Sequence, residues 1–126
     1  MEDGWRRQEE QRKAEAKRRR WEQAMELARH DFRQAALAAE LTSQLERRRL
    51  AAEIDQYLAG LRAVLQDAGE QQPAGAPEWT DWIASYRQEI DPLRHPQVVP
   101  AVRHPSPEDL RPFLNGWSPY GSDTNR

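Results

Sequence analysis

The chain has 126 residues, 32% of them charged and 37% hydrophobic, with a net charge of −2 and no cysteine. Mean hydropathy is −1.05. Ordinary domains carry about 25% charged and 45–50% apolar residues, so a large globular core is disfavoured, and a disulfide framework and thiolate chemistry are excluded.

The N-terminal MEDGWRRQEE has no apolar core of the kind a secretory signal needs. No run approaches the ~20 apolar residues of a membrane span. The expectation is a soluble cytoplasmic protein with no membrane partner. Charge is placed unevenly: residues 1–49 hold 13 Lys/Arg and 10 Asp/Glu, and residues 50–126 hold 6 and 11. A purely electrostatic nucleic-acid binder is usually more basic than this.

Residues 5–66 contain no proline and one glycine, Gly60, and are rich in Ala, Leu, Glu, Gln and Arg. These are strong helix formers. Trp21, Met25, Ala28, Phe32, Ala36 and Ala39 recur at steps of four and three. The stripe resumes at Leu50, Ile54, Tyr57, Leu61 and Val64. This predicts one long charged amphipathic helix over 1–66, roughly 90 Å long at 1.5 Å per residue. The apolar series Ala28, Ala39, Leu50 and Leu61 suggests an eleven-residue repeat rather than a seven-residue one. Near residues 40–48 the stripe weakens at Ser43, Glu46 and Arg47, while Leu37, Leu41 and Leu45 gather on the opposite side. A change of partner surface is expected there, in preference to a helix break at LTSQ.

Residues 67–76 read as a flexible linker. Residues 77–90, PEWTDWIASYRQEI, read as a second helix. Pro77 suits its first turn, and Glu78 and Asp81 suit its positive end. The Asp91-Pro92 pair ends it. Trp79, Ile83, Tyr86 and Ile90 share a face, with Trp82 beside it, and aromatic residues at this spacing are expected to be core. Residues 91–126 form a proline-rich arm, extended over 91–107. Ser106 then caps a mini-helix, 107–114, that stops at Asn115-Gly116. The last five residues read as disordered.

A long helix with one apolar face is not stable alone in water, so something must cover it. The linker lets helix 77–90 fold back antiparallel over Leu50–Leu65. At about 3.1 Å per residue the arm reaches roughly 50 Å, enough to return to Trp21. The arm is therefore expected to act as a strap that places Phe113, Trp117 or Tyr120 near Trp21, Met25 and Phe32. The competing geometry is a homodimer covering 21–39. The fold class expected is all-α and elongated: one long helix, a short antiparallel helix and a proline-rich extended arm.

Candidate chemistry is sparse. His95 and His104 sit in two Arg-His-Pro repeats, but zinc needs three or four close ligands, so no metal and no cofactor is expected. The prolines lack the usual PxxP step. Trp79, Trp82, Tyr86, Trp117 and Tyr120 could stack bases, although core packing is the more ordinary role. No phosphate loop, HExxH or GxSxG motif occurs. Asp81, Glu89 and Asp91 have no evident convergent partner. The chain reads as a non-enzyme with no small-molecule substrate.

Two surfaces remain. Helix-to-helix contact with a protein partner or a second copy would use Trp21, Met25 and Phe32 on one stripe and Leu37, Leu41 and Leu45 on the other. Nucleic-acid association would use Arg12, Lys13, Lys17, Arg18, Arg19 and Arg20, within a run where glutamates interleave as they do on solvated helices.

The segments LERRRLAAEIDQYLAGLRAVLQDAGE and PEWTDWIASYRQEIDPL, with the ending PFLNGWSPYG, resemble the C-terminal region of a group of uncharacterised bacterial proteins. These have a long Arg/Glu-rich helix and a WxxW…Y…DPL helix. The resemblance spans roughly residues 45–121. It implies a helical module associated with DNA-binding proteins and carries over no catalytic residue. The helix-turn-helix-like segment found in many of those proteins has no counterpart here.

Overall fold

The computed structural model describes residues 2–96 and 99–123, and no strand occurs among them. The fold is all-α. Helix α1 spans Glu2–Ala68, α2 spans Ala76–Ile90 and α3 spans Pro107–Leu110. Single 3-10 turns follow each helix, at Gly69–Gln71, Pro92–Arg94 and Arg111–Phe113. No break occurs at LTSQ. The expected linker is shorter than its composition suggests, because α1 runs on to Ala68 and the 3-10 turn orders the next three residues. Gln97 and Val98 of the arm, and Thr124–Arg126 of the tail expected to be disordered, lie outside the described residues.

Contacts divide the chain into two compact units. The first joins Met1–Ala38 to Ala101–Arg126, and the second is Ala39–Pro100.

In the first unit the C-terminal segment returns to the N-terminal helix. Met25 and Ala28 are buried with Leu110 and Leu114, and Trp21, Ala24, Phe32, Phe113 and Trp117 pack around them. Burying each of the two leucines contributes roughly 1.5–3 kcal/mol. The local sequence sets this segment up. Ser106 accepts from the Asp109 amide at 3.3 Å, and Asp109 accepts from the Ser106 amide at 2.8 Å. That reciprocal capping box, with Pro107 in the first turn, starts α3. Asn115 at φ 52° and Gly116 at φ 97° then reverse the chain. Such left-handed backbone is cheap only for Gly and tolerable for Asn.

In the second unit α2 packs antiparallel on α1, since Arg87 meets Asp55 while Asp91 meets Arg48. The face used is turned slightly from the expected stripe: Ile54 and Leu61 lie in it, whereas Leu50, Tyr57 and Val64 are exposed. The buried or half-buried positions of α1 here are Glu40, Gln44, Arg47, Ala51, Ile54, Leu58, Leu61, Leu65 and Ala68. They alternate steps of three and four, which is a seven-residue repeat and corrects the eleven-residue one. On α2 the matching positions are Ala76, Thr80, Ile83, Arg87 and Ile90. Small residues, Ala51, Ala76 and Thr80, are among those buried in this seam. Larger side chains are displaced to the flanks. The Thr80 hydroxyl is satisfied by the Pro77 carbonyl at 3.0 Å.

Candidate functional site

The displaced side chains build an apolar concavity in the second unit. Leu50, Glu53, Ile54 and Tyr57 of α1 face Trp79, Trp82, Ile83 and Tyr86 of α2 across a groove of about 350 Å³. Trp79, Trp82 and Tyr86 form a ladder of near-parallel rings. The first two centroids are 5.4 Å apart at 9°, and the next pair 5.1 Å apart at 7°. Steps of three and four along α2 produce the ladder. Trp79 is 52% exposed, Trp82 54% and Tyr57 60%. The expectation that these aromatics are core is therefore corrected. The seam is filled by smaller residues, and the rings lie outside it, stacked on one another.

A charge clamp fixes the two helices that form this groove. Arg87 grips Asp55 with two hydrogen bonds of 2.8 and 3.0 Å and donates to Asp91 at 2.8 Å. Arg48 also donates to Asp91, at 2.9 Å. The second carboxylate oxygen of Asp91 accepts from the Leu93 amide at 3.0 Å. The Leu93 amide, with Arg48 and Arg87, holds the Asp91 carboxyl below its ordinary value. The Arg87 hydrogen bonds do the same for Asp55. Asp91, expected to have no convergent partner, thus binds two arginines and caps the turn after α2. The signal was missed because Arg48–Asp91 and Asp55–Arg87 pair across 43 and 32 positions, separations that no periodicity reveals.

The expected interaction residues divide. Trp21, Met25 and Phe32 are taken up by the chain's own C-terminal segment. The Trp21 indole donates to the Ser118 carbonyl at 2.7 Å. Phe32 meets Phe113 edge-on at 6.3 Å, and the Arg103 guanidinium sits 5.2 Å from the Phe32 ring centre. A partner-facing role for these three is corrected accordingly, in favour of the strap. Leu37 is half-buried, whereas Leu41 and Leu45 are exposed at 58% and 45%. The polar residues Glu40, Gln44 and Arg47 occupy the seam beside them. Gln44 donates to Glu40 at 3.1 Å, and Arg47 lies 3.8 Å from Glu40.

The basic run splits as well. Arg12 pairs with Glu9 and Arg18 with Glu22. Lys13, Lys17, Arg19 and Arg20 have no carboxylate within 4 Å among the described residues. His95 and His104 are exposed, and no cluster of three metal-ligating side chains occurs among the described residues. His30 lies 3.3 Å from Asp31 on the exposed surface of α1, an adjacent pair with no third metal-ligating group among the described residues. No described helix is long and apolar enough to cross a membrane.

No family model matches this chain, and no curated protein or solved structure matches it significantly.

Proposed function

We propose that this chain is a non-enzymatic interaction module that receives an amphipathic helix of a protein partner in the groove between α1 and α2. Two packed helices leave a third position open on their common face. A helix laid there would bury the Trp79–Trp82–Tyr86 ladder with Leu50, Ile54 and Tyr57, in the helix-in-groove mode of recognition. The observation that carries this reading is the exposure of Trp79, Trp82 and Tyr57 around one groove of an ion-paired pair of helices. Contiguous exposed apolar surface of this kind marks interaction sites, and Trp and Tyr are the residues most enriched among binding hot spots. Leu41 and Leu45 offer a smaller second contact further along α1.

Site-specific photo-crosslinking tests it. Benzoylphenylalanine in place of Tyr57 should capture a discrete partner in cells, and in place of exposed Gln56, on another face of α1, should not. Trp79→Ala/Trp82→Ala should abolish the Tyr57-dependent product while leaving helicity unchanged. Equal crosslinking from both positions would overturn the proposal. The mass of the product separates a partner protein from a second copy.

A further inference from the structure

In the first unit a different surface carries a different chemistry, independent of the groove just described. Lys17 and Arg20 of α1, with Asn115, Gly116 and Trp117 from the C-terminal turn, line a cavity of about 400 Å³. The turn has the backbone dihedrals of an anion-binding nest. Leu114 is right-handed at φ −98° and ψ −5°, and Asn115 and Gly116 that follow it have positive φ. A right-handed residue followed by a left-handed one turns successive amides toward a common point, forming a nest that binds anions. The Leu114 amide is engaged with the Arg111 carbonyl, and the Trp117 amide with the Leu114 carbonyl. The amides of Asn115 and Gly116 have no backbone hydrogen bond among the described residues.

The cations are equally uncommitted. Arg12 and Arg18 spend their charge on glutamates of the same helix. Lys17 and Arg20 have no such partner among the described residues. Lys13 stands one turn before Lys17, at a helical step of four, so it extends the same row. Glu10 closes the row at its N-terminal side, and uncharged Ala24 follows Arg20. Three cations in line along some 10 Å of helix suit consecutive charges on one strand better than a single small anion. The half-buried Trp117 ring beside them is the kind of surface on which a base stacks.

We infer that Lys17, Arg20 and the Asn115–Gly116 turn form a phosphate seat, extended by Lys13, that holds the backbone of single-stranded nucleic acid. The ligand is recognised through its phosphates, so little sequence preference is expected.

The test is fluorescence anisotropy of a short labelled oligothymidylate with the full chain at about 50 and 200 mM salt. Two variants of equal charge change are compared: Lys17→Gln/Arg20→Gln, and Arg12→Gln/Arg19→Gln on a different face of the same helix. Glutamine keeps part of each apolar stem, and circular dichroism checks that both variants fold. The seat predicts that the first pair weakens binding and lowers the salt slope by about 1.4, at ~0.7 per phosphate contact on a single strand. The second pair should stay near wild type. Inorganic phosphate should compete more strongly than chloride at matched ionic strength. Equal weakening by both pairs would mean diffuse charge and overturn the assignment. Absence of oligonucleotide binding at the lower salt would overturn it too, and phosphate binding in that case would make a free phosphate the ligand instead.

Discussion

The indole N–H of Trp21 donates to the backbone carbonyl of Ser118 at 2.7 Å, across 97 positions of chain. Ser118 is buried, so this carbonyl depends on the indole. Trp21→Phe keeps an aromatic ring in the cluster, though a smaller one, and removes the donor. An unsatisfied buried acceptor costs about 1–3 kcal/mol, so the variant should unfold at lower urea with an unchanged slope. A midpoint equal to wild type would mean that the carbonyl finds another donor.

Leu114 is 1% exposed, in the cluster with Met25, Ala28 and Leu110. Leu114→Ala should cost about 2–5 kcal/mol. Leu41→Ala, on an exposed position, should stay within about 0.5 kcal/mol. Equilibrium denaturation of the pair compares the two directly.

Removal of residues 101–126 uncovers Trp21, Met25 and Phe32 together. Hydrogen exchange read by mass spectrometry should then show lost protection over 21–32, with residues 51–65 little changed because α2 still covers them. Uniform loss along α1 would mean that the helix melts as one body.

Acid stability follows from the carboxylates. Asp55, Asp91 and Asp109 lie below their ordinary value of 3.8, and Glu108 below 4.5. Their causes are, respectively, the Arg87 hydrogen bonds, the Leu93 amide, the Arg103 hydrogen bonds and the Arg111 hydrogen bonds. Groups depressed in the folded state add stability that is fully present above those ordinary values and fades as pH falls through the folded ones. The urea midpoint should therefore be flat from neutral pH to about 5 and fall below about 4. Asp91→Asn should lower the midpoint at neutral pH and make the acid slope shallower.

Arg87→Lys removes the planar fork that holds Asp55 and Asp91 at once, and a lysine cannot replace both contacts. The midpoint should fall although the charge is kept, and crosslinking from the Tyr57 position should fall with it as the groove loosens.

Helix boundaries were legible because their punctuation is local. Ser106-Pro107, Asn115-Gly116 and Pro77 in the first turn of α2 each mark an end by chemistry that needs no partner. The strap was legible from lengths alone, since a proline-rich arm of known rise reaches Trp21. The seam of the second unit was not. Leu50, Tyr57 and Val64 are exposed while Ala51, Leu58 and Leu65 fill the seam, and with leucine present in both registers the hydrophobic pattern does not choose between them. The groove follows from the register adopted, and a hydrophobicity pattern assigns its rings to the core. Nor could spacing reveal Asn115 and Gly116 on the same cavity as Lys17, which meet only once the C-terminal segment has returned to α1.

The return of that segment also has a consequence during synthesis. Leu110 and Leu114, which cover Met25 and Ala28, are made more than eighty residues after them. At 5–20 residues per second, the N-terminal stripe leaves the ribosome roughly 4–17 s before Leu110 and Leu114. For that interval each nascent chain carries an uncovered apolar strip whose neighbours are copies in the same state. The interleaved glutamates and arginines of α1 flank that strip, and charges beside an uncovered apolar segment oppose its association with other copies, so the dense charge of the N-terminal half acts on an unfinished molecule as well as solvating a finished one.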